Sequence, residues 1–147
     1  MNAFLQRRVE QRLDLKQRQE IKVCYEKAID EIENDAVPEL RYICENIERK
    51  NNLLKEASSI WVRDMALIYY SMYKFLMCCQ NGLEKLSNKS RKSLIAAIFY
   101  YVNPFDVIPD HTPGIGFIDD YYVARCCLQK LTQREKELLQ KHISSLR

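Results

Sequence analysis

Apolar positions along this chain recur mostly at helical rather than strand spacing. Across residues 4–34, Leu5, Val9, Leu13, Ile21, Ala28 and Ile32 are separated mainly by four or multiples of four. That periodicity predicts one long amphipathic helix with a narrow docking stripe. Asn34, Asp35 and Pro38 predict a break and a restart, because proline suits the first turn of a helix. Leu40, Ile43, Cys44, Ile47 and Leu54 then mark one face of a second helix. Ser58 and Ser59 can cap a third, running through IWVRDMALIYYSMYKFLMCCQ to a stop at Asn81-Gly82.

A fourth helix is predicted to start at Ser87 or Ser90, and its LIAAIFYYV run is apolar all round, which marks a central helix. Asn103-Pro104 ends it, since proline forces the preceding residue out of helical geometry. A fifth helix is predicted over residues 117–130. Thr132 and Glu135 form a capping box, T-x-x-E, opening a last helix through KELLQKHIS. The pattern predicts an all-α, single-domain bundle of five or six helices with one Pro/Gly/Asp-rich interhelical loop. Residues 1–57 read as an N-terminal extension of two amphipathic helices, and residues 58–147 as the helical domain proper.

Composition narrows this picture. The chain has 147 residues, 47% hydrophobic and 29% charged, enough to bury a core and too apolar for disorder. Three glycines and four prolines supply too little turn chemistry for a many-stranded β protein. A net charge of +3 gives no footprint for nucleic acid, which is therefore not expected as a partner. The third helix is the one transmembrane candidate by length. However, Arg63, Asp64 and Lys74 interrupt it, and a charge costs about 2.5–3.5 kcal/mol near a bilayer centre, so a core helix is favoured. MNAFLQRRVEQRLD is charged from the start, unlike a secretory signal. Four of the six cysteines are vicinal pairs, Cys78-Cys79 and Cys126-Cys127, which suits reduced thiols in the cytoplasm better than a disulfide scaffold. Buried cysteine acting as a small hydrophobe is the favoured reading over a soft-metal site.

Familiar catalytic kits are missing: there is no G-x-S-x-G, no phosphate-binding glycine loop and no H-E-x-x-H. The unusual chemistry sits in residues 103–120, NPFDVIPDHTPGIGFIDD. Here Asp106, Asp110, Asp119 and Asp120 fall without an intervening lysine or arginine. Converging carboxylates are what Mg²⁺, Mn²⁺ or Ca²⁺ require, and His111 could then serve as an acid–base helper. The spacing is not that of an EF-hand. Each residue also has a structural reading, which is favoured. Asp106 and Asp110 can form Asx turns, Thr112-Pro113-Gly114-Ile115 fits a type II turn, and Gly116 allows backbone angles closed to other residues. Asp119 and Asp120 suit the first turn of the fifth helix, with Tyr100, Tyr101, Tyr121, Tyr122 and Arg125 as possible partners.

The run YYVNPFDVIPDHTPGIGFIDDYYV resembles the signature of the YkvA-like domain, a small bacterial helical domain of unknown function. Pro104, Asp106, Ile108, Pro109, Asp110, Pro113, Gly116, Asp119 and Asp120 occupy its positions. The resemblance spans residues 90–127, with weaker support over residues 62–73, and His111 stands where an apolar residue often follows the second aspartate. It implies no established reaction or cofactor. The leading expectation is a non-enzymatic interaction or regulatory module in the bacterial cytoplasm, binding a protein partner or itself through its N-terminal helices. Two alternatives stay open: a divalent-metal-dependent, hydrolase-like enzyme using the four aspartates, and a peripheral membrane-associated accessory protein.

Overall fold

A computed structural model describes residues 13–103 and 117–146. They form six helices: α1 Leu15–Glu31, α2 Val37–Leu54, α3 Ile60–Gln80, α4 Asn88–Val102, α5 Ile118–Lys130 and α6 Gln133–Leu146. No strand occurs among the described residues, so the fold is an all-α bundle.

Most helix ends obey the local chemistry of the sequence. Ser87 caps α4 by accepting from the Ser90 backbone N–H, and Gly82 closes the end of α3 at φ 76°, a backbone angle that glycine adopts freely. Pro38 lies in the first turn of α2. The start of α1 differs from the expected helix over residues 4–34. Asp14 and Gln17 form a reciprocal capping box, with Gln17 N–H on Asp14 Oδ1 at 2.7 Å and Asp14 N–H on Gln17 Oε1 at 3.0 Å. This box satisfies two orphan donors and starts the helix at Leu15, while the periodicity alone carried it further back. Residues 1–12 lie outside the described part of the chain. Cys44 is exposed beside the buried Ile43, so α2 presents a narrower apolar stripe than expected.

α4 is the hub. It packs against α1, α2, α3 and α5, while α6 lies along α3. Leu94 through Ile98 of α4 are all buried, as an all-round apolar helix requires. One core joins both halves of the chain: Ile21 and Tyr25 from α1 and Ile43 and Ile47 from α2 meet Tyr69, Phe75, Tyr101 and Val123. Residues on either side of position 57 therefore share a single core. α3 accommodates its charges at the surface: Arg63 is exposed, and Lys74 places its ammonium 5.1 Å from the centre of the Tyr70 ring. No helix among the described residues is long and apolar enough to cross a membrane.

Candidate functional site

The signature places its last two aspartates at the start of α5. Phe117 is the N-cap, at φ 71° in the left-handed region that residues other than glycine rarely enter. Asp119 and Asp120 follow in the first turn, where free N–H groups and the helix dipole favour negative charge. Both side chains are fully buried, at 0% exposure. Asp119 Oδ2 accepts a hydrogen bond of 2.8 Å from the Tyr100 hydroxyl, tying α5 to the end of α4. The Tyr69 hydroxyl donates to the Asp120 backbone carbonyl, so α3 is held at the same point.

An aromatic layer supports these contacts. The Tyr69 and Tyr101 rings stack at 4.1 Å with only 2° between their planes. Lys50 of α2 donates to the Tyr101 carbonyl and lies 4.4 Å from that ring's centre and 5.6 Å from that of Phe117. A lysine on one of the last carbonyls of α4 complements the negative end of that helix. Four helices thus converge on one junction.

Electrostatics keep the phenols protonated. Burial, reinforced by the Asp120 carboxylate, pushes the Tyr69 hydroxyl well above the ordinary tyrosine range. Tyr121 is raised to about 12, mainly by burial, with Arg125 opposing and Asp64 reinforcing the shift. Both phenols therefore stay protonated at neutral pH, and Tyr69 keeps the proton that it donates to the Asp120 carbonyl. With its carboxylates enclosed, the described part of the junction acts as a hydrogen-bonded tie between helices.

Of the residues singled out in the sequence, Asp119 and Asp120 are brought together with Tyr100 and Tyr69. Pro104, Asp106, Pro109, Asp110, His111, Pro113 and Gly116 lie outside the described residues, as does the expected turn over residues 112–115. The expected four-carboxylate arrangement rests on Asp106 and Asp110 and so falls outside the described residues as well. Among the described residues, no three His, Cys, Asp or Glu side chains come together. The two vicinal cysteine pairs accordingly form no shared cluster. Burial raises the Cys127 thiol to about 12 and the Cys79 thiol to about 11, as for cysteines packed as small hydrophobes.

Two contributors were not legible. Lys50 sits in the charged run ERKNN, and Tyr69 is one of several tyrosines in α3, so nothing local marks either. A third buried acid, Glu135, was read as half of a capping box, but it also crosses to α4. Its Oε1 accepts from Thr132 N–H at 2.8 Å and from Ser90 Oγ at 2.7 Å, and its Oε2 accepts from Ser87 N–H at 3.2 Å.

The described residues thus define an all-α domain whose central helix is fastened by buried acids. Residues 90–124, covering most of α4, the signature and the first half of α5, match the family described as a protein of unknown function (DUF1232). The YkvA-like resemblance is consistent with this match, which covers 35 of the 147 residues. No curated protein and no solved structure matches the chain.

Proposed function

We propose that this protein is a non-enzymatic helical interaction module whose signature segment is a packing device. The observation carrying this reading is the complete burial of Asp119 and Asp120, with Asp119 bonded to Tyr100 and the Asp120 backbone to Tyr69. Acids enclosed in this way position α3, α4 and α5 and leave binding to the outer surface. On that surface α1 and α2 expose Leu15, Val23, Val37 and Leu53, which supports contact with a protein partner or a second copy through the N-terminal helices. Six free cysteines support a reducing, cytoplasmic setting, and the resemblance to YkvA-like domains supports a bacterial one.

Thermal unfolding with Mg²⁺, Mn²⁺, Ca²⁺ or chelator tests this reading against the metal-dependent enzyme. The module reading expects the same midpoint in all four conditions. A divalent-metal stabilisation of the wild type that disappears in Asp110→Asn/Asp120→Asn would overturn it in favour of a metal centre. Liposome flotation separates the membrane alternative: the protein should stay at the bottom of the gradient, and co-flotation would count against the module.

A further inference from the structure

The turn between α5 and α6 is short, yet the two helices diverge: α5 packs along α1 and α4, whereas α6 packs along α3. Between them lies a cleft of about 420 Å³. Its size falls within the ~300–1,000 Å³ typical of binding clefts. Ile68 of α3, Leu139 and Ile143 of α6 and the half-buried Leu128 of α5 supply its apolar lining. Arg125 of α5 and Lys136 of α6 also line it, and Gln129 and Gln140 add exposed amides. No Asp or Glu occurs among the described residues lining it. The cleft therefore pairs an apolar floor with a cationic, hydrogen-bonding rim.

We infer that this cleft is a docking groove for an acidic amphipathic helix of a protein partner. Such a helix presents apolar residues at i, i+3, i+4 and i+7 to the floor, and flanking carboxylates to the rim. The α6 wall runs from Lys136 to Ile143, about 10 Å at 1.5 Å per residue, which matches two turns of a docked helix. Charge complementarity selects the occupant. A basic helix would meet Arg125 and Lys136 with like charge, and an uncharged one would leave the rim unused. The inference rests on the interaction-module reading and adds to it a site away from the signature junction.

The test uses two fluorescein-labelled synthetic peptides of roughly fifteen residues with identical leucine spacing, one flanked by glutamates and one by lysines. Fluorescence anisotropy on the full chain should show the glutamate peptide binding at least about tenfold tighter at low salt. Arg125→Glu/Lys136→Glu should reverse that preference. Gln129→Glu/Gln140→Glu changes only exposed positions, so it keeps the test valid should the first variant fold poorly. It should weaken the glutamate peptide several-fold without moving the unfolding midpoint. Equal affinity for the two peptides, no binding of either, or binding unaffected by Gln129→Glu/Gln140→Glu would overturn the groove. A dimer in sedimentation that Gln129→Glu/Gln140→Glu dissolves would assign the cleft to a second copy and also overturn it. None of these results changes the metal response that judges the interaction-module reading itself.

Discussion

Two buried acidic centres sit at opposite ends of α4. Asp119, from the first turn of α5, is held by the Tyr100 hydroxyl near the end of α4, whereas Glu135, from the first turn of α6, takes the Ser87 N–H and the Ser90 hydroxyl at its start. Both acids occupy the electrically favourable end of their own helix, and both reach across to the same neighbour. They differ in what they satisfy. Glu135 receives three donors, two of them orphan backbone N–H groups at helix starts, while Asp119 receives the phenol of Tyr100, a side chain on another helix 19 residues away. One centre is local helix-end chemistry extended to a second helix. The other depends on tertiary structure, and it lies within the stretch that matches the family model.

Substitutions should separate the two centres by size of effect. Glu135→Ala strips the acceptor from three donors at once and should cost about 2–4 kcal/mol in urea unfolding. A loss below the Tyr100→Phe value would reverse the order argued here. Tyr100→Phe removes one donor from a buried carboxylate and should cost about 1–3 kcal/mol, with the helical far-UV signal retained.

Acidification should act visibly on the Glu135 centre. Burial on its own would raise that carboxyl, but the hydrogen bonds from Thr132, Ser90 and Ser87 outweigh it and hold Glu135 below the usual glutamate range. A depressed folded-state value means that its stabilisation is present above the unfolded pKa and is lost as pH falls through the folded one. Stability should therefore fall from roughly pH 5 downward, and Glu135→Gln should flatten part of that slope. An unchanged slope in this variant would remove Glu135 as its source. The smallest effect belongs to the half-exposed pair Lys130–Glu26 at 2.8 Å, where Lys130→Met should shift stability by no more than about 1 kcal/mol.

The same contrast explains what the sequence could convey. Thr132-x-x-Glu135, Ser87 and Asn81-Gly82 are local signals whose partners lie within a turn, and the structure uses all three. The all-round apolar character of α4 similarly announced a central helix. Asp119 and Asp120 were legible as first-turn acids, and Tyr100 was among the tyrosines named as their possible partners. The reach of Glu135 to Ser90, 45 residues away, and of Tyr69 to Asp120, 51 residues away, had no local mark, because a hydroxyl on a core face reads as packing until its neighbour is known. The Asp14–Gln17 box was a local signal that the stronger four-residue periodicity obscured.

The central claim is that the signature acids act as structural ties, and a double-mutant cycle across Tyr100→Phe and Asp119→Ala addresses it most directly. If the phenol and carboxylate stabilise the fold through each other, the two losses should fall short of additivity by about 1–3 kcal/mol. Losses that add to within about 0.3 kcal/mol would mean that Asp119 is retained for something other than its bond to Tyr100, and the structural account of the signature would fail.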